Sequence, residues 1–142
     1  MPYCTQEDIV EQLPLVDLIG LTDDDGIGVV DTSVVDRAIA DGETEIDAYC
    51  QGRYTVPFDP VPAVVRRLCV DLAINNLFAR RGIDPPEVRK DKLRNAIRFM
   101  EKVASGQIAL GATTPAQLVS GNSSEASTPG DRIFTRDTLE NY

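Results

Sequence analysis

Three long segments of this sequence repeat apolar residues every three or four positions, and each segment ends near a glycine. The segments span about residues 34–51, 62–81 and 87–105. Apolar residues at this spacing form one stripe along an α-helix, and Gly52, Gly82 and Gly106 stand where a helix-ending glycine belongs. Because each stripe needs a shared core to cover it, the pattern predicts an all-α fold.

A shorter helix is predicted at the N-terminus. Thr5 is followed three positions later by Asp8, the arrangement of a capping box, which predicts a helix over Gln6–Gln12. Pro14 stops or restarts this helix, and the stretch Leu15–Leu21 is expected to form only a turn or two. We therefore expect a compact bundle of about four helices, one short and three longer, with an extended, flexible C-terminal tail.

The segment over residues 62–81 differs from the others because it has two apolar faces. One face carries Val61, Ala63, Val64, Leu68 and Leu72, and the other carries Val70, Ile74, Leu77 and Phe78. A helix that is apolar nearly all round lies either at the centre of a domain or at a subunit interface. The stiff, proline-rich stretch before it presents three further side chains that need a surface to pack against: Tyr54, Val56 and Phe58.

Charge is distributed unevenly along the chain. Residues 1–52 contain 13 acidic residues and one basic residue, whereas residues 53–106 contain 6 acidic and 11 basic residues. Copies of such a chain can meet head to tail with opposite charges in contact, and the alternative is that both are ordinary solvated faces. The formal net charge of −9 argues against a general phosphate-binding surface.

Basic residues on the last two long helices are the main candidates for a nucleic-acid surface. They are Arg66, Arg67, Arg80, Arg81, Arg89, Lys90, Lys92, Arg94 and Arg98. Adjacent arginines point about 100° apart on a helix, so the pairs do not form one stripe, and few aromatic residues lie between them to stack on bases. A solvated or subunit-facing role is therefore favoured, and Arg67 is expected to pair with Asp71 one turn away.

The sequence offers little for catalysis. It contains no histidine, which removes the usual general base near neutral pH and the commonest zinc ligand. Cys4, Cys50 and Cys69 are far apart, so we expect free thiols in the core. The run Asp23–Asp25 lacks the remaining ligands of a calcium-binding EF-hand loop and is interpreted as a solvated acidic turn. We predict no catalytic residue, no metal site, no cofactor and no enzymatic activity.

The chain is predicted to be one helical domain followed by a tail. Its 142 residues, 42% of them apolar, can form one core and are too few for two. The helical domain covers residues 1–111, a flexible linker rich in small polar residues covers 112–130, and a docking tail covers 131–142. Ile133, Phe134 and Leu139 would anchor that tail on another surface. With no signal peptide and no long apolar run, no membrane association is expected.

Several stretches of the sequence resemble a known phage family. They are VDRAIAD, EIDAY, GRYTVP and FTRDTL, together with the opening YCTQEDIVEQ. The chain resembles the Mu-like phage and prophage head-to-tail connector, or head completion, proteins, a family long described only as a domain of unknown function. The resemblance spans about residues 1–111 and the last dozen residues, and the linker between them does not align.

This resemblance implies a non-enzymatic structural protein of the virion, a small helical subunit of a ring beneath the portal. Its expected partners are copies of itself, the portal and other neck or tail proteins, with no specific nucleic acid. Its expected location is the head-tail junction, after assembly in the cytoplasm of the bacterial host. We predict that the subunit or portal interface contains Tyr54, Val56, Phe58, Val70, Ile74, Leu77, Phe78, Ile133, Phe134 and Leu139. The alternative is a cytoplasmic helical regulator that binds nucleic acid through its two basic helices.

Overall fold

A computed structural model describes residues 1–111, which contain five α-helices and no strand. The helices are α1 (Gln6–Gln12), α2 (Leu15–Thr22), α3 (Thr32–Cys50), α4 (Ala63–Arg81) and α5 (Glu87–Ala104). The predicted all-α fold is confirmed. The count of about four helices was one too low, because the stretch after Pro14, expected as a turn or two, forms a separate helix of 8 residues, about two turns. The predicted linker 112–130 and tail 131–142 lie outside the described residues.

Local sequence signals decide where most of these helices begin and end. The Thr5 hydroxyl accepts from the Asp8 N–H at 3.3 Å, and the Asp8 carboxylate accepts from the Thr5 N–H at 2.8 Å, which confirms the capping box. Gly82 ends α4 in the left-handed conformation, with φ of 65°. Gly52 does not take that conformation, and the carbonyl of Cys50 accepts from the N–H groups of Arg53 and Tyr54, both at 2.9 Å.

α4 lies at the centre of the fold, and each of the other four helices packs against it. The predicted face with Val70, Ile74, Leu77 and Phe78 is buried, and no more than 9% of any of these side chains is exposed. On the other face Leu68 and Leu72 are buried, Val61 and Val64 are partly buried, and Ala63 is exposed. The short helices contribute to this cover, since α1 buries Ile9 and α2 buries Leu18 and Leu21. Of the two explanations for a helix that is apolar nearly all round, the central position is the one that the structure supports.

The contact between α3 and α4 depends on a glycine. Gly42 of α3 faces α4 so closely that a Cβ atom built on it would lie 3.3 Å from the Cβ of Leu72 and 3.6 Å from the carbonyl oxygen of Cys69. Gly42 is itself buried, within the apolar stripe of α3. A larger residue here would push the two helices apart, because packed interiors have little room to adjust.

Two tyrosine hydroxyls fix the connection between α3 and α4. The Tyr3 hydroxyl accepts from the Phe58 N–H at 3.0 Å and donates to the carboxylate of Asp47. The Tyr54 hydroxyl accepts from the Leu110 N–H at 3.0 Å. The rings of Tyr3 and Tyr54 also pack on Phe58, with centroids 5.8 and 6.0 Å away. The first residues, the connection and the end of the described chain are thereby joined at one end of the bundle.

Replacing Gly42 with valine is expected to lower the free energy of unfolding by about 1–3 kcal/mol, because the added carbons must displace α4. The matched control is Gly20→Ala in α2, where nothing lies within 4 Å of the added carbon. That change should raise the free energy of unfolding by up to about 1 kcal/mol, because alanine favours a helix over glycine. Urea unfolding followed by circular dichroism measures both variants. Equal stability of Gly42→Val and the unchanged protein would contradict the close approach of α3 and α4.

Candidate interaction surfaces

Most residues that the sequence assigned to an interface lie in the core of the chain itself. Six of them are between 0% and 9% exposed: Tyr54, Phe58, Val70, Ile74, Leu77 and Phe78. Other elements of the same chain cover most of the apolar surface of these residues, and their contact with another subunit stays a prediction. Val56 is partly buried against the same core. Ile133, Phe134 and Leu139 lie outside the described residues, so their role stays a prediction.

The three cysteines are buried free thiols, as predicted. The sulfur atoms of Cys4 and Cys69 lie 3.1 Å apart, and this hydrogen bond, together with burial, raises the pKa of the Cys69 thiol. Burial raises the pKa of the Cys50 thiol to about 11. Because the thiolate is the reactive form of cysteine, these shifts favour a packing role for Cys50 and Cys69.

Two arginines at the end of α4 hold the end of α2. Arg81 donates from Nη2 to the carbonyl oxygen of Gly20 at 3.0 Å and to that of Asp23 at 3.3 Å. Arg80 and Arg81 both form ion pairs with Asp24, and the Arg80 guanidinium holds the pKa of that carboxyl below its usual value. Cations at the last carbonyls of a helix are favoured by hydrogen bonding and by the helix dipole. This arginine pair, a candidate for nucleic-acid contact in the sequence, is therefore engaged inside the chain.

The acidic turn after α2 closes on itself. The carboxylate of Asp23 accepts from the backbone N–H of Gly28 at 2.7 Å and from that of Ile27 at 3.0 Å. These two hydrogen bonds lower the pKa of Asp23. Within residues 1–111, no group of three or more Asp, Glu, Cys or His side chains is placed to hold a metal ion. The carboxylate of Asp23 thus stabilises the turn by binding its backbone N–H groups.

A second basic contact holds the end of α1. Arg89 of α5 donates to the backbone carbonyl of Gln12, and the Lys92 ammonium donates to the side-chain oxygen of the same residue at 3.2 Å. Gln12 is the last residue of α1, so this contact repeats on α1 what Arg81 does on α2. Some basic residues of the second half of the chain therefore bind the first half of the same subunit, and not another molecule.

Asp71 lies in a polar cleft of about 500 Å³ between α4 and α5. The cleft is lined by Gln12, Arg67, Leu68, Asp71, Lys92, Asn95, Ala96 and Phe99. The predicted ion pair between Arg67 and Asp71 is not formed, and the Oδ1 atom of Asp71 is buried without a hydrogen-bond partner. Burial raises the pKa of Asp71, although Lys92, Arg89 and Arg67 oppose this effect.

Most exposed charge without a partner in the described part of the chain lies in two regions, although Glu101 lies within the basic region and Arg37 within the acidic one. Acidic residues are spread over α1, α2 and α3: Glu7, Glu11, Asp17, Asp36 and Asp41. Basic residues gather where α4 begins and α5 ends: Arg66, Arg67, Arg98 and Lys102. The two ends of α4 and α5 lie side by side there, since Arg67 and Phe99 line the same cleft. The two regions carry opposite charge on one subunit.

An apolar groove of about 340 Å³ lies between α2 and the turn that joins α4 to α5. It is lined by Val16, Asp17, Gly20, Leu21, Phe78, Ile83 and Pro86. Val16 is 78% exposed and Ile83 is 48% exposed. The sequence did not identify this groove, because Val16 falls in the stretch interpreted as a turn or two and Ile83 falls between two helices. Its only signal was a single valine and a single isoleucine outside the apolar stripes.

Replacing Arg81 with glutamine is expected to lower the midpoint of thermal unfolding by a few degrees, because the carbonyls at the end of α2 lose their donor. The control is Arg37→Gln, which removes the same charge from an exposed position of α3 that forms no ion pair in the described chain. This control should leave the midpoint almost unchanged. Differential scanning calorimetry measures both variants, and equal midpoints for the two would show that the contact of Arg81 with α2 adds no stability.

Replacing Asp71 with asparagine is expected to raise stability at pH 7. Because the pKa of Asp71 is higher in the folded protein than in the unfolded chain, ionising it costs folding free energy above the raised pKa. The advantage of Asp71→Asn should shrink as the pH falls from 7 towards the ordinary aspartate pKa of 3.8. Urea unfolding at several pH values measures it. A variant less stable than the unchanged protein at pH 7 would mean that attraction to Lys92, Arg89 and Arg67 stabilises the ionised carboxylate more than burial destabilises it.

None of the helices in residues 1–111 is long and apolar enough to cross a membrane. Comparisons instead place the chain among the proteins of Mu-like phages and prophages. The Mu-like prophage FluMu protein gp36 of Haemophilus influenzae is 34% identical over 113 residues, which cover 80% of this chain and 78% of that protein. Gene product J of Escherichia phage Mu is 30% identical over 80 residues, which cover 56% of this chain and 55% of that protein.

The family described as Bacteriophage Mu, Gp36 matches residues 3–128 of the chain. The match includes all five helices and extends beyond the described residues. The chain therefore belongs to the Bacteriophage Mu Gp36 family, in agreement with the resemblance noted in its sequence motifs.

Proposed function

We propose that this protein is a structural subunit of a Mu-like phage virion, and that its copies form a ring that connects head and tail beneath the portal. It acts without catalysis, in the assembled particle at the head-tail junction. Membership of a phage Mu family supports the phage origin, and the resemblance of the sequence motifs to head completion proteins supports the connector role.

The observation that carries the proposal is the separation of exposed charge on one subunit. A closed ring is built from heterologous contacts, in which one face of a subunit meets a different face of the next. The acidic region on α1, α2 and α3 and the basic region at the end of α4 and α5 are two such faces. Opposite charge on two different faces steers copies into head-to-tail contact and opposes contact between like faces.

The ring contact that we propose places α5 of one copy on α3 of the next. Arg98 and Lys102 lie one turn apart on α5, and Asp41 and Glu45 lie one turn apart on α3. Two cations and two carboxylates with the same spacing can pair across an interface. These residues are exposed or partly exposed, and none of them forms an ion pair within the described chain.

The ring is tested by measuring the mass of the full chain in solution, by light scattering on a size-exclusion column over a wide concentration range. The expected mass is a fixed multiple of the 15.5 kDa chain. Arg98→Glu should weaken the assembly, and adding Asp41→Arg should restore it in part. Arg37→Glu reverses the same charge on the acidic face, so it is the matched control and should not weaken the assembly.

Two outcomes would contradict the proposal. One is a strict monomer at every concentration, both alone and mixed with the portal protein of the same phage. The other is binding to duplex DNA that persists between about 50 and 200 mM salt, since a specific binder retains affinity that a merely basic surface loses. The second result would favour the nucleic-acid regulator. The engagement of Arg80, Arg81 and Arg89 inside the chain already reduces the surface left for such binding.

A further inference from the structure

The apolar groove between α2 and the turn after α4 is a surface that the fold leaves uncovered. Single exposed apolar side chains are ordinary, but several around one groove mark a site of interaction. The exposed apolar residues of α2 and of the segment from Gly82 into α5 are Leu15, Val16, Ile83 and Val88, each between 48% and 78% exposed. Phe78 and Leu21 reach the groove from the core and give it an apolar floor.

The groove and the point where the tail begins lie at opposite ends of the molecule. The groove lies where α4 ends and α5 begins, as Phe78, Ile83 and Pro86 line it. The described chain ends after α5, where Leu110 is buried and bonded to the Tyr54 hydroxyl. Since α5 has 18 residues, about 27 Å of helix separates these two places.

The sequence beyond Gly111 contains a segment whose chemistry matches the groove. Ile133 and Phe134 are adjacent apolar residues, Arg132 directly precedes them, and the acidic residues Asp131 and Asp137 balance Arg132 and Arg136. The rim of the groove carries the exposed carboxylate of Asp17. The apolar pair therefore fits the apolar floor, and Arg132, next to the pair, can meet the carboxylate of Asp17 at the rim.

The tail is long enough to reach a neighbouring copy. Residues 112–132 separate Gly111 from Ile133 and can span up to about 70 Å when extended. The groove of an adjacent copy in a ring lies within this reach, because a domain of this size is only about 35 Å across. Docking on the same chain would instead require the tail to turn back along the whole length of α5.

We propose that residues 131–142 of a neighbouring copy bind in this groove, with Ile133 and Phe134 against Val16, Phe78 and Ile83. This inference rests on the proposed ring, because the neighbour is the next subunit. It adds an interaction that the charged faces do not supply, because the tail would join each subunit to the next through apolar contact. The groove and the tail would then be the two halves of one interface.

The test is photo-crosslinking of the full chain. A photoreactive residue is introduced by Phe134→p-benzoyl-L-phenylalanine, and ¹⁵N-labelled and unlabelled chains are mixed in equal amounts. Mass spectrometry then identifies the joined peptides and shows whether they come from different chains. The expected cross-links join the tail to the peptides that contain Val16 or Ile83, in mixed-isotope pairs. The same photoreactive residue at Ser120, in the linker, should give no cross-links concentrated at the groove.

Val16→Asp tests the groove without disturbing the core, because Val16 is 78% exposed. It should reduce the yield of these cross-links about tenfold, since the apolar side chains of the tail would meet a desolvated charge. Ile27→Asp is the matched control, because Ile27 is 71% exposed in the loop after α2 and does not line the groove. It should leave the yield unchanged.

The outcomes separate this inference from the proposed function. Cross-links to another surface, or cross-links that Val16→Asp does not reduce, overturn the groove as the binding site. The mass of the same samples, measured by light scattering, reports the ring independently. A ring that forms without these cross-links overturns only this inference. A monomer that cross-links its own tail to its own groove overturns both the neighbour contact and the ring.

Discussion

The close approach of α3 and α4 at Gly42 is the contact on which the rest of the structure depends. It places the apolar stripe of α3 against one side of α4 and leaves the remaining sides of α4 to α1, α2 and α5. Because α4 has two apolar faces, its burial is shared among the four helices that pack on it. A fold of this kind gains its stability from packing shared by five helices, and no pair of helices among them buries the whole of α4.

Hydrogen bonds from basic side chains also hold the helices together. Arg81 and Arg89 come from the basic part of the chain and bind the terminal carbonyls of helices in the acidic part. The basic residues of the sequence therefore have two roles in the structure. Some of them join the helices of one subunit. Others, such as Arg98 and Lys102, remain on the surface, where they can meet Asp41 of another copy.

Local signals in the sequence predicted the helices well, but they could not predict what covers them. The capping box at Thr5 and the glycine at position 82 depend on a few neighbouring residues, and the structure has both helix ends as expected. What covers the second apolar face of α4 could not be predicted in this way. The periodicity of a sequence shows how much apolar surface a helix has, but it does not show which element packs on that surface. α2 supplies part of that cover, although its two turns were not counted among the predicted helices. The groove at Val16 and Ile83 was missed because tertiary packing alone brings these distant residues together.

The position of the arginines in the chain has a consequence for biosynthesis. α1 and α2 are made first, yet the side chains that bind their C-terminal carbonyls come from residues 81 and 89, and the central helix is the fourth to be made. The N-terminal helices therefore have no complete packing partner until most of the chain has left the ribosome. Contacts of such long sequence separation form slowly and together. Folding during translation is thus a late, cooperative event for this protein, and α1 and α2 have no early, self-sufficient fold of their own.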